Sequence, residues 1–568
     1  MGTVSPGTMQ RRPRLLWLLW LAFVVRGAWY CAVLPAWEGY DEPYHFAALQ
    51  HVAGGQGLPH SDTPISLEVQ KSLHLLPLPW ELQFHAIPQP LTTHDDFWKL
   101  SADARDRRIG DVRRLDPDDG MRPATEPVFN YESQQAPLYY CLFAVPLRSM
   151  SALPLLSRVY WLRVLNLLLA SAVLPLVFWI AQRVLGSDRQ AVGVTALVVL
   201  APEMMINLAR VSNEALALVC YTVMLAAAVV LAQKPQSWNA WLVVGAALGC
   251  GLLTKAYFLT AVPAVLVIAV VWAWPRKSGD GKLRPAKVVT RLSCALLIAF
   301  LIAGRWYARV HHTTGSWSGQ GDDVAMHRLS LLQKLAALPQ VNWKSGVLSV
   351  LVSHVWFGAW SFLRVPDRTY KLAFAVIALG VLGVVWRLAR RQGSSGELRA
   401  IVTLSAIYLG FWAGLAYNVL VTFLNQGVSA STGWYLYAAV AAEVVLLVWG
   451  LQAFMPGRVV LPLLAVAVAA LDLYGIHALL MPYYSGLSWH VGESVPVALR
   501  STLTQLPVVF TRLSLLRPEW LNSSALLGLW AGYWIATLGT VLAVIAQFWN
   551  PSAADSVRES SSDAGSSN

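Results

Sequence analysis

The chain runs to 568 residues, of which 56% are hydrophobic and only 13% charged, whereas a soluble domain is about 45–50% apolar and about 25% charged. That balance excludes a soluble enzyme, and the apolar residues fall in repeated runs of roughly 18 to 25, enough to cross about 30 Å of hydrocarbon. A net charge of +12 could suit a nucleic-acid partner, but the basic residues gather in three places: Arg11, Arg12 and Arg14 before the first run, Arg276, Lys277, Lys282, Arg284, Lys287 and Arg291 in one short loop, and Arg387, Arg390, Arg391 and Arg399 in another. Short basic loops stay on the cytoplasmic side of a membrane, so the charge records topology, and no nucleic-acid partner is expected.

In chain order, residues 1–14 read as a cytoplasmic N-terminus and 15–35 as the first span. Its basic start mimics a signal peptide, but the apolar run exceeds a signal core and no small-residue cleavage site follows. A loop of about 36–136 comes next. Its stretch "HDDFWKLSADARDRRIGDVRRLDPDDGMR" carries eight Asp against seven Lys/Arg and reads as a solvated loop or a surface helix. The segment "YESQQAPLYYCLFAVPLRSM" ends in an apolar part too short to span, expected to lie in the interface. Further spans are expected near 159–182, 190–208, 214–232, 239–254, 257–274, 288–307, 370–388, 400–424, 434–452, 458–475 and 524–547, about twelve in all. With the N-terminus inside, the three long loops 36–136, 308–368 and 476–522 all fall outside. The tail 550–568, rich in Ser and Asp, reads as disordered and cytoplasmic. Residues 15–475 form the main module, followed by the external segment 476–522 and a last span at 524–547. Five scattered cysteines with no CxxC exclude a disulfide framework.

Chemistry concentrates in "WEGYDEPYHF", where Asp41 and Glu42 sit side by side just beyond the first span. A carboxylate there is placed to take a proton from a water-soluble acceptor while its partner stays in lipid. A solvated pair capping a helix is the plainer reading of the spacing alone. Lys255, Arg305 and Arg309 stand at the outer ends of apolar runs, where the positive-inside trend least accounts for charge. Snorkelling to headgroups would also explain them. Arg210 and Arg364 are weaker candidates of the same kind.

The stretch "YDEPYHFAALQHVAGGQGLP" resembles the start of the first external loop in bacterial GT-C superfamily glycosyltransferases, among them protein O-mannosyltransferases, aminoarabinose transferases of lipid A and rhizobial lipopolysaccharide transferases. The resemblance continues in order. "YESQQAPLYY" is similar to the loop-closing motif, with Ala136 where the first of two prolines usually stands. "APEMMINLARVSNEALAL" carries Asn213-Glu214 where Asn-Asp is frequent. "LGCGLLTKAYFLT" holds the Thr-Lys, "RWYARVHHTTGSWSG" closes the seventh span, and "STGWYLYAAVAA" has Trp434 in place of an arginine.

The resemblance implies an all-α polytopic fold, a GT-C-type bundle of about twelve transmembrane helices with interfacial helices in its first external loop. It implies an enzyme of the cytoplasmic membrane with its active site facing outside. Such an enzyme moves a sugar from a polyprenyl-phosphate-linked donor to a glycan, lipid or protein hydroxyl, with inversion. Asp41 would be the general base and Glu42 would orient acceptor or donor. Lys255, Arg305 and Arg309 would bind the donor phosphate, with His45, Glu132, Tyr139, Asn213, Glu214 and Tyr435 in support. No cofactor is firmly implied. A divalent metal held by Glu132, His311 and His312 is a secondary alternative, His45 being read as a local partner of Asp41. The rival class is a transporter or flippase of a lipid-linked sugar, for which Glu443 is the best residue, with Asp472 also deep in a run.

Overall fold

The computed structural model describes residues 6–549 except Ser61, Pro127, 274–284 and Gly492. The basic cluster at 276–284 and the 550–568 tail therefore lie outside the described residues, as do Met1–Ser5. Every expected apolar run is helical where described. Among the described residues nine helices are long and apolar enough to cross a bilayer, or ten when Asp188–Leu200 and Pro202–Leu208, bent by 58° at their break, are counted as one span. The protein is a multi-pass helical membrane protein. The two other expected spans, near 239–254 and 257–274, are the apolar helix Trp238–Leu252 and, after the single turn Ala256–Thr260, the helix Ala261–Ala273, where the described residues break off. Between them the first helix ends at Leu252 and Lys255 takes up extended backbone before the chain turns back. The only strands among the described residues are a two-residue antiparallel pair, His490–Val491 with Glu493–Ser494.

The bent span has an identifiable cause. Pro202 lacks an N–H and pushes Ala201 out of the helical region. This frees carbonyls of the preceding helix where no water can satisfy them. Arg26 of the first helix supplies the donors: its guanidinium reaches the Val199 carbonyl and, at 3.1 Å, that of Leu200. The same side chain donates to Asp472 at 2.6 Å and to Thr537 at 3.0 Å, and the Tyr533 hydroxyl donates to Asp472 at 2.8 Å. Both charges are fully buried. Glu443 is likewise bonded, sharing a 2.6 Å hydrogen bond with His354. Both deep carboxylates are thus tied into helix packing.

The three long loops meet on one side of the bundle, as their parity requires. Trp360 N–H donates to the Glu38 carbonyl at 3.1 Å, Glu81 N–H to the Trp360 carbonyl at 3.2 Å, and His490 N–H to both Asp95 oxygens at 3.0 Å. The charge-dense stretch forms two short helices, His94–Lys99 and Ala102–Arg113, and the second buries only Ile109 and Val112. The loop closes in the helix Leu138–Ser149, which packs on Glu42–Ala53 and leaves Leu142 and Val145 exposed.

Candidate active site

Three carboxylates lie within five residues of one another, and the fold gives each a different fate. Glu38 is fully buried, accepting from the Ser361 hydroxyl at 2.5 Å beside His94 Nε2 at 3.0 Å. Glu42 is also fully buried. It accepts from Arg163 Nε at 2.7 Å, Arg163 Nη2 at 2.5 Å, Trp37 N–H at 3.0 Å and Val211 N–H at 2.9 Å. It is committed on every side and does not line the cavity described below; the residue expected to orient acceptor or donor is here held within the protein's own hydrogen bonds. Asp41 is the N-cap of the helix Glu42–Ala53, in left-handed backbone (φ 58°) that Asp tolerates better than most residues. An N-cap carboxylate usually accepts from its own helix. Asp41 makes no such bond; it accepts instead from the Tyr131 hydroxyl and stays partly exposed.

Asp41 lines a cavity of about 1310 Å³ where the three long loops meet the ends of the helices. Tyr131 and Glu132 of the "YESQQAPLYY" turn line it too. That turn is held by Asn130, whose amide donates to the Tyr44 carbonyl at 2.8 Å and whose oxygen accepts from Glu132 N–H at 3.0 Å. Asn213 secures the far end, donating to Gln135 at 3.1 Å and to the Thr254 carbonyl at 3.0 Å. The ligand atoms of Asp41, His45 and Glu132 all lie within 4.8 Å of one another. His45 is buried, its Nδ1 sharing a 2.7 Å hydrogen bond with Tyr140 and its Nε2 standing 3.7 Å from Glu132. Glu132 Oε2 is buried and has no hydrogen-bond partner among the described residues. Burial, then the charge of Asp41, pushes the Glu132 carboxyl up to about 8 against the pull of Lys255. Burial also holds the His45 imidazole well below its usual range, hence neutral. One neutral imidazole nitrogen and two carboxylates form a donor set for a divalent cation. His311 and His312 take no part: both are exposed, and His311 packs against Trp317.

The remaining expected residues divide by position. Lys255 is buried behind the wall, paired with Glu214, its ammonium 5.0 Å from the centre of the Tyr435 ring. Glu214 also accepts from Tyr257 at 3.1 Å and lies 3.7 Å from Arg210. Of this group Tyr435 alone lines the cavity. Arg210 holds the Tyr40 carbonyl and, at 2.6 Å, the Asn207 side chain. Tyr139 is buried and stacks on Phe143 at 4.5 Å. Arg305 and Arg309 stay on the exposed face of their helix, with Arg309 bonded to His60 at 2.9 Å, and neither lines the cavity. The cations on the cavity wall, among the described residues, are Lys344 and Arg364. Sequence reasoning had Arg364 as a minor candidate and missed Lys344, as well as Tyr131, Trp80 and His490. Only Tyr131 carried a signal, its place in the loop-closing motif. Trp434 replaces the expected arginine with a ring stacked on Tyr40 at 3.9 Å. Gly433 beside it is required by close approach, since a Cβ there would lie 1.8 Å from the Val350 carbonyl oxygen.

These features define a polytopic helical protein with an acid-bearing polar cavity at the junction of its long loops. Residues 151–314 match the sequence profile of the dolichyl-phosphate-mannose-protein mannosyltransferase family, which lies within the superfamily that the motifs resemble. No curated protein sequence matches the chain. Among solved structures, the chain is similar to ArnT from Cupriavidus metallidurans bound to undecaprenyl phosphate, at 14% identity and a TM-score of 0.40 over 89% of this chain and 76% of that one. It is also similar to the Archaeoglobus fulgidus oligosaccharyltransferase in the apo form, at 12% identity and a TM-score of 0.39 over 94% of this chain and 56% of that one. Both superpositions are loose, and the chemistry follows from the site itself.

Proposed function

We propose that this protein is a membrane glycosyltransferase that moves a sugar from a polyprenyl-phosphate-linked donor to an acceptor hydroxyl, at the outer face of the cytoplasmic membrane. The observation that carries the reading is Asp41: of the three carboxylates in its motif it alone reaches the cavity, with one hydrogen bond and no cationic partner within salt-bridge distance among the described residues. A general base needs that exposure, since it must come within about 2.6–3.2 Å of the acceptor proton or reach it through one water. The acceptor oxygen attacks the anomeric carbon, the carbon–oxygen bond to phosphate breaks with inversion, and Asp41 takes the acceptor proton. Polyprenyl phosphate leaves with the bonding pair. Lys344 and Arg364 line the same cavity as Asp41 and would offset that charge, since fixed cations lower such a barrier. Lys255, neutralised by Glu214, instead props Tyr435 against the cavity.

Beside Asp41, which stays the base, His45 and Glu132 would also fit a divalent cation, because the Glu132 Oε2 has no hydrogen-bond partner among the described residues and stands 3.7 Å from the Nε2 of His45. The Tyr140 hydrogen bond at Nδ1 fixes the tautomer or orientation that such ligation needs. A bound ion would supply positive charge beside the departing phosphate. The transport reading loses its best residues, since Glu443 and Asp472 are both internally bonded.

The test is release of undecaprenyl phosphate from a panel of undecaprenyl-phosphate-linked pyranoses by the purified full-length chain in detergent. Wild-type protein turns over at least one donor and Asp41→Asn loses that turnover while remaining folded. Equal release by both proteins would remove Asp41 from the chemistry.

A further inference from the structure

The cavity is far wider than one carboxylate and its neighbours need. Two apolar helices contribute polar stripes to its wall. The helix Trp343–Val355 presents Ser345 and Ser349, and Ser395–Gln426 presents Asn418, Thr422 and Gln426, each four residues from the next. Positions four apart share one helix face. Asn418 accepts from Ser431 at 2.8 Å, Thr422 and Gln426 donate to Asp322 at 2.6 and 2.8 Å, and Ser349 accepts from Ser431 N–H at 3.1 Å, so these groups form a polar wall held in place by the protein itself. Uncharged hydroxyls and amides suit the hydroxyl groups of a sugar.

One wall residue is better defined than the rest. His490 lines the cavity and is 4% exposed, and its Nδ1 is buried with no hydrogen-bond partner among the described residues. Its position is over-determined. The backbone N–H is tied to both Asp95 oxygens, and the ring stacks on Trp80, another cavity residue, at 4.4 Å and 22°. Burial keeps the imidazole neutral by lowering its pKa. A buried polar atom without a partner is destabilising, and natural structures retain few of them. Here the unsatisfied nitrogen belongs to a rigid ring on the wall that also carries the proposed base.

We infer that the Trp80–His490 corner is a sugar-recognition subsite, in which His490 Nδ1 hydrogen-bonds a ring hydroxyl of a bound pyranose. This inference rests on the glycosyltransferase reading and deepens it: it names a specificity residue in the C-terminal loop and a pyranose as its ligand. That pyranose belongs either to the donor or to a glycan acceptor, two sources of one chemistry.

Saturation-transfer NMR on the full-length chain in nanodiscs tests it, with the methyl pyranosides of mannose, glucose, galactose and 4-amino-4-deoxyarabinose as probes. Wild-type protein binds at least one probe. His490→Phe keeps the stack on Trp80 but loses the nitrogen, and weakens that probe by about five-fold or more, the effect of leaving one hydrogen-bonding partner unsatisfied. His490→Asn restores a polar atom near the Nδ1 position and recovers binding to within about two-fold of wild type. Displacement of the probe by the undecaprenyl-phosphate-linked form of the same sugar, but not by undecaprenyl phosphate, assigns the subsite to the donor; continued binding assigns it to the acceptor. Absence of binding by all four probes, an unchanged affinity in His490→Phe, or loss in His490→Asn overturns the inference. Asp41→Asn separates the two readings, because transfer reports the base, while the loss of affinity caused by His490→Phe, measured again in the Asp41→Asn background, reports the subsite. Normal transfer in that variant would defeat the catalytic reading whatever the NMR shows.

Discussion

Replacing Glu42 with Gln removes one charge from a fully buried pair while keeping its shape. In the folded protein Arg163 is 3% exposed at its side chain and Glu42 is 0% exposed, so neither charge has water to fall back on. Breaking a buried pair by neutralising one partner costs about 3–5 kcal/mol, because the other charge is left uncompensated. Arg163 would still donate to the carbonyls of Leu34 and Pro35 at 2.7 Å and of Cys31 at 3.2 Å, which places Glu42→Gln near the lower end. A loss of about 3 kcal/mol is a fall of roughly 150-fold in the folded-to-unfolded ratio. Arg163→Met should fall nearer the upper end, since Glu42 then keeps only the N–H groups of Trp37 and Val211. Replacing both partners with Met should recover little of either loss, because the carbonyls of Cys31, Leu34 and Pro35 and the N–H groups of Trp37 and Val211 are then left without partners. The assay is unfolding of the purified chain in graded detergent and SDS mixtures, followed by tryptophan fluorescence. A Glu42→Gln midpoint equal to wild type would refute the anchoring role. Asp41→Asn in the same assay should unfold as wild type does, so neighbouring acids separate stability from turnover.

Lys344→Ala and Arg364→Ala should each slow donor turnover by about 10- to 150-fold, the worth of one charge-assisted hydrogen bond, with Lys344→Arg retaining most activity in the undecaprenyl phosphate release assay. Elemental analysis of the purified chain should find close to one divalent ion per protein, lost in His45→Ala and in Glu132→Gln; an equal metal content in all three would remove the site. Gly433→Ala should destabilise by about 1–3 kcal/mol through overpacking against the Val350 carbonyl, seen as an earlier midpoint in the same unfolding titration. Lys255→Met should lower stability more than donor affinity, since it strips Glu214 of its nearest cation; a selective rise in donor KM would return Lys255 to the phosphate.

The helical framework was legible because hydrophobic runs act locally: each of the twelve expected runs is helical where described. The turn at Lys255, which joins the helices expected at 239–254 and 257–274, is a feature that hydropathy does not register. The site was legible only in part. The motif around Asp41 located the cavity, but sorting Glu38, Asp41 and Glu42 required partners 323, 90 and 121 residues away in the chain. Lys255 looked free because the sequence does not pair it with Glu214, 41 residues earlier. His490 was invisible, its place being set by Asp95 at a separation of 395 residues.

Arg26 has a consequence for how the protein is made. A basic residue near the centre of a span raises the cost of insertion by about 2.5–3.5 kcal/mol, and this one is synthesised well before any of its partners. Its carbonyl partners lie 173 and 174 residues later and its counter-ion, Asp472, 446 residues later. At about 5–20 residues per second, the first helix waits roughly 9–35 s for the broken helix and about 20–90 s for Asp472. Throughout that interval an unpaired guanidinium lies in or beside the bilayer. The nascent chain is then open to retention by the insertion machinery or to capture by a membrane protease. Substitutions at Asp472 should accordingly reduce the amount of protein that accumulates in cells more than they alter the turnover of the molecules that mature.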